Sequence, residues 1–192
     1  MMHPASRSKI ILLNGAGSAG KGAIARASQD MASGPVLHVE MDAFFAMLPP
    51  RWQSDPDVLS FVPAPEDPSS VAVRTGPAGH RVWSGMRHAA LALADRGNDL
   101  ILDDVIVGDD PPGTIFAEYR ELLAGHDLFT VGVFARLETL EMRERARGDR
   151  QIGLARWQID RVHQGCTYDL EVHTDDRTPE DCAREILAAF PL

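Results

Sequence analysis

The residues best suited to chemistry lie together in one glycine-rich segment near the start of the chain. Its members are Asn14, Gly15, Ala16, Gly17, Ser18, Ala19, Gly20, Lys21 and Gly22. Glycines at positions 15, 17 and 20 let the backbone curl so that successive amides point inward, and with the positive end of a following helix they form an anion site. Lys21 would place a point charge over the β- and γ-phosphates of a nucleotide. The segment, from position 15 to 22, therefore predicts a phosphate-binding loop; the alternative is an ordinary glycine-rich turn after a buried strand.

The loop departs from the P-loop pattern G-x-x-x-x-G-K-[ST] at its last letter. The match is complete through Lys21, but position 22 is Gly, where Ser or Thr normally offers a hydroxyl to magnesium. The missing hydroxyl weakens the expectation of catalysis more than that of nucleotide binding.

Carboxylates follow two further apolar runs. Asp103 and Asp104 lie in the run 100–107 and resemble a Walker B element that would hold magnesium, directly or through water. The alternative is a strand-end acid that caps a helix or pairs with an arginine. Asp42 is the candidate general base, since a nearby carboxylate can take the proton of an acceptor hydroxyl. It could equally be the N-cap of a helix over 43–48, and the residues alone leave these two roles even.

A cluster of cations stands out in an otherwise acidic chain. Its members are Arg136, Arg143, Arg145, Arg147 and Arg150. Arg143, Arg147 and Arg150 are spaced so that one helix face can present all three, and phosphoryl transfer needs such cations to neutralise the equatorial oxygens. Arg145 is better assigned to a solvated pair with an acid one turn earlier. Gly148 breaks the helix where a lid, over about 143–152, could hinge.

Alternating strands and helices must position these residues. The predicted strands are 9–13, 36–39, 100–107, 128–134 and 170–173. The predicted helices are 20–31, 80–96, 115–124, 137–147, 154–164 and one that starts at Thr178-Pro179. This alternation predicts an α/β fold with a parallel, doubly wound sheet. Lys21 and Asp42 both follow strand ends, so they can share one crevice at the carboxyl edge of the sheet.

The stretch 49–79 interrupts this rhythm. Seven of the 13 prolines fall there, and a long irregular segment in a compact domain is usually a functional loop or an insertion. Trp52, Phe61 and Val62 provide apolar anchors, which favours a flap folded over the substrate. A surface insertion is nearly as well supported.

Length and charge limit the classes of function. The 192 residues suit a single domain, 1–192, and the net charge of −9 disfavours nucleic acid as a partner. Apolar runs are too short for a membrane span, and the N-terminus lacks a secretory signal, so a cytosolic protein is expected. Cys166 and Cys182 make neither a disulfide framework nor a metal cluster. The oligomeric state, including a homo-oligomer, is left open.

In these motifs and in their order along the chain, the sequence resembles the chloramphenicol phosphotransferase family of small P-loop kinases. The resemblance is carried by the loop, by the Val-Glu-Met-Asp element ending at Asp42, and by the Asp pair. It is carried above all by Arg145-Ala146-Arg147-Gly148-Asp149-Arg150, followed by Val162-His163-Gln164-Gly165 and Tyr168-Asp169. These later segments are far more specific than a P-loop, and the similarity spans nearly the whole chain outside 49–79.

The resemblance implies a P-loop kinase fold like that of adenylate kinase or shikimate kinase. Together with the pattern of predicted elements, this gives a five-stranded parallel sheet with helices on both faces, a small lid and an irregular proline-rich insertion. It implies ATP and Mg²⁺ as cofactors and transfer of the γ-phosphoryl group to an alcohol such as chloramphenicol. By matching position, Lys21 contacts the phosphates, Asp42 is the base, and Arg147 and Arg150 belong to the lid. Gly22 stands where the family has Ser.

Three functional hypotheses follow. The first is an ATP-dependent O-phosphotransferase that acts on a small alcohol, either an antibiotic or a metabolite. The second, motivated by Gly22, is a nucleotide-binding module without catalysis that acts as a sensor or binding partner. The third is a P-loop kinase acting on a nucleotide-sugar or a protein, as zeta-type toxins do, and the acidic composition gives it little support.

Overall fold

A computed structural model describes residues 7–107, 111–148 and 151–192. Within these ranges the chain forms a five-stranded sheet and a separate two-stranded hairpin. The strands are β1 (Lys9–Asn14), β2 (Val36–Glu40), β3 (Leu59–Ala64), β4 (Asp67–Thr75), β5 (Asp99–Asp104), β6 (Asp127–Phe134) and β7 (Leu170–His173). The α-helices are α1 (Lys21–Met31), α2 (Met41–Ala46), α3 (Pro77–Ala94), α4 (Thr114–Leu122), α5 (Leu137–Arg147), α6 (Leu154–Ile159) and α7 (Pro179–Ala189).

The five-stranded sheet has the order β2-β5-β1-β6-β7, and every neighbouring pair is parallel. A parallel sheet is covered on both faces, which is why its central strand is an unbroken apolar run. Side chains alternate along β1: Ile11 and Leu13 pack into one core, while Ile10 and Leu12 pack into the other. The predicted doubly wound α/β sheet is confirmed.

Helices from different parts of the chain cover the two faces. Ile24 of α1 and Ile186 of α7 belong to the core beneath one face. Met86 of α3 and Tyr119 of α4 belong to the core beneath the other. The predicted start of the last helix is confirmed, because the Thr178 hydroxyl accepts a hydrogen bond from the third residue of α7 in a capping box.

The stretch 49–79 is more regular than the sequence suggested. A short 3₁₀ turn at Pro50–Trp52 leads into the antiparallel hairpin of β3 and β4. The hairpin packs against α6 through Ala64, Ala72 and Trp157, and the Val71 amide donates to the Gly153 carbonyl at 3.0 Å. It is therefore anchored to the helix that follows the predicted lid.

Two predicted elements end at least three residues earlier than expected. The strand predicted over 100–107 stops at Asp104, because the next amides turn to side chains: Val105 N–H donates to Asp104 itself and Ile106 N–H to Asn14. The helix predicted over 154–164 stops at Ile159 and continues as turns. None of the helices within the described ranges has the length and apolar character needed to cross a bilayer.

Candidate active site

The glycine-rich loop joins the central strand β1 to helix α1. Its backbone curls through left-handed conformations at Ser18 (φ 65°) and Gly20 (φ 100°), and the Ala19 amide donates back to the Ala16 carbonyl at 3.2 Å. A Cβ at Gly15 would lie 2.4 Å from the Val133 carbonyl oxygen, so only glycine fits against β6 there. The strand, loop and helix have the arrangement of a P-loop.

Lys21, the first residue of α1, is buried and directed back over the loop. Its Nζ donates to the carbonyl oxygens of Gly15 and Ala16 at 2.9 and 3.2 Å. The same ammonium lies 3.6 Å from Asp103 Oδ1. The structure thus brings together the loop lysine and the first acid of the predicted metal pair.

Asp103 and Asp104 face different surroundings because neighbours on a strand point to opposite sides. Burial raises the pKa of Asp103, but the Lys21 ammonium and His38 outweigh it, and the pKa lies below its usual range. His38 Nε2 is 3.8 Å from Asp103 Oδ2 and is a buried nitrogen with no hydrogen-bond partner among the described residues. Asp103 is therefore an ionised carboxylate at the loop.

Asp104 differs from the sequence-based expectation. Its Oδ2 accepts from the Tyr119 hydroxyl and its Oδ1 from the Val105 amide, both at 2.7 Å. Burial raises the pKa of this carboxyl above its usual range despite those donors. Each oxygen of Asp104 thus accepts one hydrogen bond from the protein, whereas Asp103 faces Lys21, and the metal role of Asp104 stays a prediction.

Asp42 is the second residue of α2, and Glu40 occupies the N-cap position. The alternative interpretation of Asp42 as the N-cap of a helix over 43–48 is therefore wrong. Asp42 lines the same cavity as Lys21 and Asp103, at the carboxyl edge of the sheet. Its role as the general base stays a prediction.

One cavity of about 1350 Å³ connects the loop to the hairpin. The loop, its lysine and the carboxylates described above line this cavity. Apolar side chains from α2, α3 and the hairpin line it as well: Phe45, Leu59, Phe61, Val73 and Trp83. Since small-molecule pockets are typically about 300–1000 Å³, this space is large enough for a nucleotide and a second small molecule.

The predicted arginines have different positions. Arg147 lines the cavity, and Arg145 forms the expected exposed pair with Glu141 at 3.8 Å. Arg150 lies outside the described residues. Arg143 supports the loop: its guanidinium donates to the Thr174 hydroxyl and carbonyl at 2.9 and 2.7 Å, and that hydroxyl donates to a loop carbonyl.

Several supporting residues had no usable signal in the sequence. Gln158 Oε1 accepts from the loop amide of Gly17 at 2.7 Å, although 141 residues separate the two in the chain. The buried carboxylate of Glu144 accepts from the amides of Gly153 and Ala155 at 2.8 Å. These two hydrogen bonds fix the start of α6.

Asn14 connects the loop to the segments 162–165 and 168–169, which carried the resemblance in the sequence. It is fully buried; its Nδ2 donates to the Val162 carbonyl and the Tyr168 hydroxyl, both at 2.7 Å, and its Oδ1 accepts from the Ile106 amide. Tyr168 in turn bonds to His163, whose pKa burial lowers to about 4. The His-x-Gly and Tyr-Asp segments therefore hold the loop in place.

We expect Asn14→Ala to lower the free energy of unfolding by about 2–4 kcal/mol, because each buried group left unpaired costs roughly 1–3 kcal/mol. Urea denaturation with linear extrapolation measures this loss. Asn98→Ala is the matched control, since Asn98 makes a single partly buried bond to the Leu93 carbonyl. An equal loss in the two variants would contradict the role given to Asn14.

Comparison with known proteins identifies a family that this chain matches. Residues 8–191 match the family described as chloramphenicol phosphotransferase-like protein. A Mycobacterium tuberculosis protein named "Putative O-phosphotransferase" is 32% identical over 189 residues, which cover 95% of this chain and 82% of the relative.

Two solved kinase structures share the fold. M. tuberculosis APS kinase, in complex with AMPPNP and APS, has a TM-score of 0.59 and 19% identity over 95% of this chain and 96% of that one. Shikimate kinase from Acinetobacter baumannii, in complex with shikimate, has a TM-score of 0.59 and 15% identity over 95% and 92%. The predicted P-loop kinase fold is confirmed.

Proposed function

This chain belongs to the chloramphenicol phosphotransferase-like family, as its motifs predicted, and from that premise we propose that it transfers the γ-phosphoryl group of ATP to a hydroxyl of a small molecule. Family membership makes it a small-molecule phosphotransferase. One observation carries the finer proposal: Lys21, Asp42 and Asp103 line one cavity that apolar side chains of α2, α3 and the hairpin also line.

The reaction needs a general base, a phosphate-binding site and cations that neutralise the charge of the transferring phosphoryl group. Asp42 accepts the proton of the acceptor hydroxyl as that oxygen forms its bond to the γ-phosphorus and the bond to ADP breaks. Lys21 and the loop amides bind the phosphate oxygens throughout the transfer. Arg147 lines the cavity from α5 and would add positive charge there, with Arg150 as its predicted partner in the lid.

The residues beside the loop are suited to Mg²⁺. No three His, Cys, Asp or Glu side chains within the described residues converge on one point. Magnesium in kinase sites is commonly held by one or two carboxylates together with substrate phosphates and water, so a complete protein cage is not required. Asp103, ionised and next to Lys21, would hold it. When bound, the ion neutralises charge on the β- and γ-phosphate oxygens.

The acceptor is proposed to be a chloramphenicol-like antibiotic or a related alcohol with an apolar or aromatic body. The wall contributed by Phe45, Phe61 and Trp83 suits such a body, and the hairpin supplies part of it, as expected of a substrate flap. A hydroxyl placed near Asp42 would then face the loop. We also propose a cytosolic location, where ATP is available.

Mass spectrometry tests the acceptor class directly. The protein would be incubated with ATP, Mg²⁺, chloramphenicol and a panel of small alcohols, and each mixture searched for a phosphorylated product. We expect a product from at least one aromatic alcohol.

Gly22 favours one alternative, a nucleotide-binding module without transfer activity. It predicts ATP binding by calorimetry with no product from any acceptor. Product formation from the panel would exclude it.

A further inference from the structure

We propose that Glu40 is the second carboxylate of the magnesium site and that it serves in place of the hydroxyl missing at Gly22. The inference rests on the proposed ATP-dependent function. It assigns a role to a residue that neither the P-loop pattern nor the Asp pair pointed to. It also explains how a loop ending in Lys-Gly can still hold a metal ion.

The space left by the absent side chain lies between two carboxylates. A Cβ built at Gly22 would be 3.3 Å from Asp103 Oδ2 and 3.5 Å from Glu40 Oε1. Glu40 is the last residue of β2, and it is directly opposite Asp103, the penultimate residue of the neighbouring parallel strand β5. The position of the serine Cβ in a typical P-loop is thus flanked by carboxylate oxygens of Asp103 and Glu40, which come from two strands.

Glu40 has no other assignment in the surrounding structure. Over the ranges 7–107, 111–148 and 151–192, its carboxylate makes no ion pair and no side-chain hydrogen bond, although the residue is half-buried and lines the cavity. A partly buried carboxylate without a partner is unfavourable, and a divalent cation would compensate it. Asp104, by contrast, is already satisfied by Tyr119 and Val105.

Two cations also approach this space. Lys21 is held by the loop carbonyls and by Asp103, and Arg26 Nη1 lies 3.5 Å from the built Cβ of Gly22. Asp103 is already paired with Lys21, and Arg26 adds positive charge nearby, so a bound Mg²⁺ would depend on Glu40 and on the phosphates for the remaining negative charge. This predicts a site that binds metal strongly only together with the nucleotide.

Mn²⁺ titration followed by electron paramagnetic resonance, in the presence of AMPPNP, measures that site without reference to turnover. We expect Glu40→Gln to weaken nucleotide-dependent Mn²⁺ binding by roughly tenfold or more, since even the loss of an outer-shell partner costs about 10–100-fold. Asp30→Asn is the control: it removes one carboxylate charge from the exposed surface of α1 and should leave Mn²⁺ affinity unchanged. Metal-free AMPPNP binding should be the same in all three proteins.

A second substitution makes the replacement itself testable. Gly22→Ser in the Glu40→Gln background should restore most of the lost Mn²⁺ affinity, whereas Gly22→Ser alone should change it little. The added Cβ requires Asp103 to shift by only a few tenths of an ångström. Restoration would show that the two residues serve the same ion.

The outcomes separate this inference from the proposed function. Unchanged Mn²⁺ affinity in Glu40→Gln, with a normal response in the unsubstituted protein, would overturn the role of Glu40 and leave the kinase proposal standing. Failure of Gly22→Ser to restore a lost affinity would overturn the replacement. Absence of any nucleotide-dependent Mn²⁺ binding in the unsubstituted protein would count against the proposed function itself.

Discussion

Lys21→Ala is expected to slow phosphoryl transfer strongly and to weaken AMPPNP binding by roughly 10- to 100-fold. A hydrogen bond to a charged group is worth about 1.5–3 kcal/mol, and Lys21 is the only lysine at the loop. Turnover should fall further, by about 10²–10³, because the same charge acts on the transferring group. Calorimetry and product quantification measure the two effects.

The chain offers a matched control for that variant. Its only other lysine, Lys9, lies at the protein surface and donates to the Pro191 carbonyl at 2.9 Å. Lys9→Ala removes the same charge and should leave nucleotide affinity unchanged. Nucleotide binding in Lys21→Ala equal to that of Lys9→Ala would contradict the assignment of the loop.

The loss of Lys21 should also be visible in the pH dependence of stability. Its ammonium holds the pKa of Asp103 below the usual range against the opposing effect of burial. A depressed carboxyl pKa adds stability above the unfolded-state pKa, and this stability is lost as the pH falls through the folded-state value. Removal of the ammonium in Lys21→Ala should raise the pKa of Asp103. The free energy of unfolding should therefore fall less on acidification in this variant than in the unsubstituted protein.

Asp42→Ala is expected to lower kcat by about 10²–10⁴, the usual contribution of a general base. AMPPNP affinity should not change, because Asp42 acts on the acceptor hydroxyl and not on the phosphates. Asp42→Asn should be nearly as slow, since it keeps the shape of the side chain and removes the basic oxygen.

Steady-state product formation and calorimetry separate these two effects. Asp30→Ala, an exposed acid on α1, is the control for the loss of a carboxylate and should retain full activity. An undiminished kcat in Asp42→Ala would remove Asp42 as the base.

The elements fixed by local pattern were predictable from the sequence. α5 and β7 have the predicted bounds, and the cap of α7 follows from Thr178-Pro179 with two acids behind it. β1, the loop and α1 differ from expectation by one residue. Each of these elements combines an apolar period with a clear start or stop signal, so local and tertiary preferences agree.

The hairpin was harder to predict because its strands contain prolines. Pro63 lies in β3 at the point where the register shifts, and Pro68 lies near the start of β4. Proline has no amide hydrogen, so it is tolerated at an irregularity or on an edge but disguises the strand pattern in the sequence. The packing of this hairpin on α6 then comes from residues about 90 positions later, which no local window contains.

Lys21, Asp42 and Asp103 were proposed as site residues because their types lie at or after strand ends, where ligands bind. The structure places all three along one cavity, and their roles stay predictions. The different surroundings of Asp103 and Asp104 follow from strand alternation, a consequence that the sequence pattern already contained. Gln158 and Glu144 were not identified, because a polar residue that bonds to a distant amide has the same local sequence as one that faces water.

The central claim, transfer of the γ-phosphoryl group of ATP to an alcohol, is tested most directly with ATP labelled with ¹⁸O in its γ-phosphate. We predict that the phosphorylated acceptor carries all three labelled non-bridging oxygens and that unlabelled ADP accumulates in equal amount. Mass spectrometry of both products gives the answer in one reaction, with Lys21→Ala as the blank. Labelled inorganic phosphate formed without any labelled phosphoester, whichever alcohol is offered, would contradict the account.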